Sequence, residues 1–216
     1  MSAPKVVSET KKEIEEKSPP SIINIRQHYW LTAESKELYK GVVLSSGVFP
    51  VYISRKAEEK IRNHAMEYGD DGTEVMGFLL GEVFEHNGVR YAVVKDVATT
   101  SLDASEVSVR FDKDNMEQLF SQMDSSGFDY MIVGWYHSHP GHSCFMSPTD
   151  MRTQRAMFQE DYHSAIVVDP LKMEIEAYGL DGNDYKPIPF AVFWEEFEDP
   201  YGKKTKKKKM KKLNPD

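Results

Sequence analysis

Cysteine is almost absent from this 216-residue chain: Cys144 stands alone, so no disulfide can form within it and stability must come from burial. No stretch approaches the roughly eighteen consecutive apolar residues that a bilayer-spanning helix needs. The polar, charge-mixed start from Met1 to Ser21 lacks the apolar centre of a secretory signal. These absences exclude a secreted disulfide scaffold and a helical membrane protein, and they predict a soluble, cytoplasmic one. No internal repeat is visible, which argues against a solenoid or propeller. No His-Glu-x-x-His occurs, so zinc ligation from successive turns of one helix is excluded.

Apolar residues make up 40% of the chain and aromatics 12%, spread over many short runs, which predicts a folded core. The net charge of −8 is unevenly placed. Residues 201–216 hold eight Lys and one Asp, or +7, so residues 1–200 carry −8 − 7 = −15. A lysine run of this kind is usually a solvated, disordered end; it could also tether the chain to an anionic surface. No base-reading motif accompanies it, so no specific nucleic-acid partner is expected.

Residues 1–20 end in Pro19-Pro20 and read as a disordered lead, 21–49 as an extension without sustained periodicity, 50–200 as one domain and 201–216 as a basic tail. Within the domain, "FPVYIS" predicts a strand. "RKAEEKIRNHAMEYG" predicts a helix that repeats Ala57, Ile61 and Ala65 and ends on Gly69 as a left-handed cap. Two apolar runs flank Asn87-Gly88, a strong hairpin signal. "DNMEQLFSQMDSSG" and "SPTDMRTQRAMFQEDY" predict two further helices; "YMIVGWYHSHP", "SAIVVDP" and "MEIEAYGL" predict strands, and the prolines of "YKPIPFAVFW" place it at a sheet margin. Helices mixed with hairpins argue for an α/β sandwich with a mixed or mainly antiparallel sheet.

The densest chemistry lies in "GWYHSHPGHSCFMSPTD", residues 134–150. A strand running to His139 puts His137 and His139 on one face and Ser138 on the other. Two imidazoles suit zinc, and a catalytic zinc site takes three protein ligands and leaves the fourth position to water. Ser147-Pro148 is a helix-start signal, which places Asp150 in a first turn able to point back toward the histidines. Ser147 and Asp150 could instead form only a capping box. Two rivals use Cys144: a closed structural site with His137, His139 and His142, or a cysteine nucleophile with a histidine base.

"HSHP", six residues, then "SPTD" resembles the JAMM, or MPN+, metalloprotease pattern. "EVMGFLLG" is similar to that family's glutamate-bearing segment, and "VGWYHSHPG" with "DMRTQ" looks most like the deubiquitinating subunit of the proteasome lid and the signalosome isopeptidase. The resemblance spans residues 50–180 and leaves out the long carboxy-terminal helices of the lid subunit, as in a smaller archaeal or prokaryotic member. It implies an MPN fold of cytidine-deaminase type, a mixed β-sheet sandwiched by helices. It implies a zinc-dependent isopeptidase that frees ubiquitin or a ubiquitin-like modifier from lysine by attack of a zinc-activated water, with a proteasome-like complex as a further partner. His137, His139 and Asp150 would hold Zn2+; Glu74 would be the general base and acid, and Ser147 the oxyanion donor. It makes Cys144 neither nucleophile nor ligand. The segment "ATTSLDASEVSVRFD" is the candidate strand partner for the modifier's tail. Two other readings are a peptidase for linear fusions of ubiquitin-like or sulfur-carrier proteins and a non-catalytic MPN scaffold.

Overall fold

A computed structural model describes residues 14–99 and 130–194. The helix expected over 114–127, the lysine tail and nearly all of the candidate tail-binding segment lie outside those residues. In chain order the elements are β1 (Glu15–Glu16), β2 (Ile25–Arg26), α1 (Ala33–Ser45), β3 (Val51–Ser54), α2 (Arg55–Gly69), β4 (Met76–His86) and β5 (Val89–Thr99). There follow β6 (Met131–Ser138), α3 (Pro148–Met157), β7 (Ser164–Asp169), β8 (Glu174–Asp181), β9 (Asp184–Ile188) and β10 (Phe190–Phe193).

The strands form one mixed sheet in the order β2-β10-β3-β5-β4-β6-β7-β8-β9, with β1 added parallel to the far half of β4. Asn87 and Gly88, both at positive φ (53° and 77°), make the β4–β5 hairpin turn. The sheet cannot be flat. Leu31 bridges Ile175 of β8, yet it lies only five positions along the chain from Arg26 at the opposite end of the strand order. Five extended residues reach about 18 Å, whereas seven steps across a flat sheet cover about 34 Å. The sheet therefore curls until the chain after β2 can touch β8.

The curl wraps α2, whose Ala57, Ile61 and Ala65 are fully buried against Val51, Ile53, Val94, Ile166 and Ile175. A second cluster on the other face gathers Met76, Phe78, Trp135, Met151 and Phe158. A third, around Phe49, Tyr52, Tyr91 and Phe193, packs against Tyr39, Val42 and Val43 of α1.

Four expectations need correction. The lead over 1–20 is ordered at its end, where Glu15–Glu16 pair with Phe84–Glu85. The extension contains a helix that the hydrophobic pattern missed, because the apolar stripe of α1, Tyr39, Val42 and Val43, is short and only half-buried; its ends are set by caps, the Thr32 hydroxyl accepting Ser35 N–H and Ser46 closing the end at φ 53°. Gly69 is the last helical residue of α2 rather than a left-handed cap; there it lets Pro170 approach, and Gly72 makes the turn at φ 70°. "YKPIPFAVFW" splits at Pro189. β9 takes the sheet margin as expected, but β10 inserts between β2 and β3, where Pro189 has no ladder to break.

Candidate metal centre

β6 delivers the histidines through a change of phase. The ladder to β4 pairs Leu79 with Gly134 and then Leu80 with Ile132, leaving Val133 as a bulge. Val133 and Tyr136 consequently both face α2, while Trp135 and His137 face the other way. Trp135 stacks on the His137 ring at 4.4 Å and 16°, and its indole N–H is fixed by Gln154 Oε1 at 2.7 Å. One step further, Ser138 exchanges hydrogen bonds with Val75: its N–H donates to the Val75 carbonyl at 2.9 Å, and its hydroxyl accepts the Val75 N–H at 3.0 Å. That clasp ties the strand end and puts His139 on the same face as His137.

Ser147 caps α3, and Pro148 occupies its first turn. The capping box is complete: Ser147 Oγ accepts the Asp150 N–H at 3.2 Å, and Asp150 Oδ2 accepts the Ser147 N–H at 2.7 Å. The same Oδ2 lies 3.4 Å from His137 Nε2 and 3.5 Å from His139 Nε2. Cap and metal-facing carboxylate, alternatives in the sequence, are therefore one arrangement. Because Ser147 Oγ acts toward the backbone only as an acceptor, its hydrogen remains to donate.

His137, His139 and Asp150 are almost fully buried, and their ligand-capable atoms all lie within 4.8 Å of one another. Burial pushes the His137 pKa down, against the pull of Asp150, so the ring is neutral. Burial alone would raise the Asp150 carboxyl, but the two imidazoles and Ser147 outweigh it and hold the group far below the usual carboxylate range. Both nitrogens of His137 and Nδ1 of His139 are buried without a hydrogen-bond partner, which is costly unless something else meets them. Two imidazoles and a carboxylate are a zinc donor set. The 3.4 and 3.5 Å separations match the edge of a tetrahedron with metal–ligand bonds of about 2.0–2.1 Å. The residues present fit the metal.

Glu74 is half-buried just before β4, one ladder step beyond the Val75–Ser138 clasp, and its charge acts on His137. The Cys144 rivals do not assemble. His142 is exposed, the Cys144 thiol donates to the Val167 carbonyl at 3.2 Å, and burial pushes its pKa up. Among the described residues, the group able to hold a metal is His137, His139 and Asp150.

Residues that the sequence reading passed over hold this frame. Asp169, fully buried, accepts N–H bonds from Gly141, Ser143, Leu171 and Lys172 at 2.7–3.0 Å and so shapes the loop after His139. Those bonds outweigh the burial that would raise its pKa and keep it low. Its one sequence signal was an Asp-Pro pair closing an apolar run; Gln154 had none.

A sequence profile described as JAB1/Mov34/MPN/PAD-1 ubiquitin protease matches residues 46–162, more than half of the chain. The chain belongs to this family. Among its JAB/MPN relatives, COP9 signalosome complex subunit 5 of Debaryomyces hansenii is 37% identical over 146 residues, 62% of this chain and 30% of that one. Ubiquitin carboxyl-terminal hydrolase RPN11 of Saccharomyces cerevisiae is 37% identical over 139 residues, 60% of this chain and 43% of the relative. The chain thus spans less than half the length of these JAB/MPN relatives. A solution structure of protein DSY2949 from Desulfitobacterium hafniense matches 67% of this chain and 94% of that one, at 20% identity and TM-score 0.49. Among the described residues, no helix is long and apolar enough to cross a membrane.

Proposed function

We propose that this JAB/MPN protein is a zinc-dependent isopeptidase that releases ubiquitin or a ubiquitin-like modifier from a lysine side chain. One observation carries the reading: the buried rings of His137 and His139, three of whose nitrogens have no hydrogen-bond partner, present their Nε2 atoms to the ionised Asp150 at tetrahedral-edge distances. The family membership and the relatives' printed names support the substrate class. A zinc ion held by these three residues would supply a Lewis acid that polarises the scissile carbonyl and lowers the pKa of water.

The chain's own groups do the rest. Glu74 takes the proton from the attacking water and returns it to the departing lysine amine, which leaves protonated. Ser147, positioned by its own cap, spends its free hydrogen on the oxyanion that develops at the scissile carbonyl. Asp169 and the Val75–Ser138 clasp keep these groups in register, and burial keeps the His137 ring neutral.

The test is hydrolysis of lysine-linked modifier conjugates by the zinc-loaded chain, alongside linear fusions of the same modifier. Glu74→Gln is expected to lose about 10²–10⁴-fold in kcat with little change in KM, and a chelator to abolish turnover. Turnover that survives both would sink the zinc mechanism; cleavage of linear fusions alone would move the substrate away from isopeptides.

A further inference from the structure

The loop from Pro140 to Met146 joins His139 to the helix that carries Asp150, so its shape sets their spacing. It is pinned at three places: by Asp169, by the Cys144 thiol on β7, and by Tyr178 of β8, whose hydroxyl lies 2.9 Å from the Cys144 carbonyl oxygen. Tyr178 is buried; burial and the carboxylate beside it push its pKa up, so the phenol keeps its hydrogen. The same phenol oxygen also meets Oε2 of Glu176, two residues earlier on the same face of β8. A phenol has one hydrogen to give. It serves either Cys144 or Glu176, never both.

Glu176 is buried too, and its other oxygen, Oε1, accepts from the hydroxyls of Thr32 and Ser35, the latter at 3.2 Å. Among the described residues, this carboxyl meets hydroxyls and no cation: Thr32 and Ser35 donate to Oε1, and the contested Tyr178 hydroxyl lies at Oε2. Thr32 and Ser35 start α1, and the residues just before them are docked on β8 through the Leu31–Ile175 bridge and an Ile175 N–H bond to the Trp30 carbonyl at 3.1 Å.

We infer that residues Leu31 to Ser35 of the N-terminal extension are a positioning element of the metal site, acting through Glu176 and Tyr178 on the loop between the ligands. The inference rests on the zinc reading of that site. While Thr32 and Ser35 donate to Glu176, the carboxylate competes least for the phenol hydrogen, which goes to the Cys144 carbonyl and pins the loop. When those two donors leave, Glu176 draws the phenol hydrogen and the loop loses its middle anchor. Tyr178 and Glu176 touch no reacting atom; they act through the loop.

The experiment uses the full chain. Amide exchange over residues 141–146 is read by mass spectrometry on metal-free protein, and zinc affinity by competition with a chromophoric chelator. The variants are Tyr178→Phe, the pair Thr32→Val with Ser35→Ala, and all three together. Tyr178→Phe is expected to speed loop exchange and weaken zinc by about tenfold with the rest of the sheet unchanged. The pair should move both readouts the same way by several-fold, and the triple variant should be no worse than Tyr178→Phe, since both routes converge on one hydrogen bond. Loss of the α1 cap shows as faster exchange in α1 in either background and does not enter the comparison. Unchanged loop exchange in Tyr178→Phe, or a triple variant in which the effects add in full, overturns the inference. If Tyr178→Phe loosens the whole sheet, the pair alone decides, because its side chains lie away from the loop. The exchange readout needs neither metal nor substrate, so a wild type inert toward every modifier conjugate would defeat the isopeptidase reading and leave this one decided on its own.

Discussion

Oδ2 of Asp150 takes the Ser147 N–H at 2.7 Å and faces both imidazoles at 3.4 and 3.5 Å, so one atom serves the start of α3 and the candidate metal centre together. The two duties separate by substitution. Asp150→Asn keeps an oxygen for the Ser147 N–H but loses the charge, so metal-free stability should fall by less than about 1 kcal/mol while zinc affinity drops more than about 100-fold. Ser147→Ala removes the other half of the box, costing about 1 kcal/mol, and leaves the zinc donors intact. Thermal melts and zinc titrations of the two proteins check this; a Ser147→Ala chain that loses zinc while Asp150→Asn keeps it would invert the assignment. His137, His139 and Asp150 could be picked out in the sequence because local rules place them: period two along a strand, then a helix start. Asp169, Gln154, Glu176 and Tyr178 could not, because each acts on a partner brought near only by the fold, and nothing in an isolated Gln or Tyr marks it as buried.

Among the elements, β6 shows how backbone geometry decides chemistry. The bulge at Val133 turns Trp135 and His137 away from α2, and Gly134 makes it possible: its φ is 154°, and a Cβ there would sit 2.2 Å from the Ser164 carbonyl oxygen. Gly134→Ala must part β6 from β7 or shift the bulge, and a shift of one residue would exchange the two faces of the strand. The expected cost is about 1–3 kcal/mol in denaturant unfolding, with loss of zinc even where the variant stays folded. A variant that keeps both stability and zinc would show that the bulge is not what aims the histidines. The hairpin, α2 and α3 were legible because turn residues, apolar period and cap residues agreed with one another. In α1 the capping residues had only the short, half-buried stripe of Tyr39, Val42 and Val43 to support them. The inward position of β10 was hidden because prolines mark where a strand cannot pair, not where the chain goes next.

Across the whole molecule, the segment after β2 holds the curled sheet to α2, and a buried charge cluster makes the joint. His28 Nε2 donates to Glu58 Oε1 at 2.9 Å while its Nδ1 accepts the Trp30 N–H at 3.0 Å, and Arg62 Nε reaches the same Glu58 oxygen at 2.8 Å. Burial by itself would raise the Glu58 pKa; the hydrogen bonds from His28 and Arg62 and the Arg62 charge outweigh it, so the folded value lies below the ordinary 4.5. A carboxyl with a lowered folded pKa binds protons more readily in the unfolded chain. Its contribution is therefore complete above about pH 4.5 and fades as the pH falls through the lowered value. Glu58→Gln should cost about 2 kcal/mol near neutral pH, where it strips the charged acceptor from the buried His28 and the half-buried Arg62. The gap between wild type and variant should narrow on acidification, because the wild-type carboxyl is then losing the same charge. Urea unfolding of both proteins at about pH 7 and about pH 3.5 measures that gap. A gap of equal size at both values would mean that Glu58 joins the extension to α2 as a neutral hydrogen-bonding group, and that ionisation contributes nothing to closing the sheet.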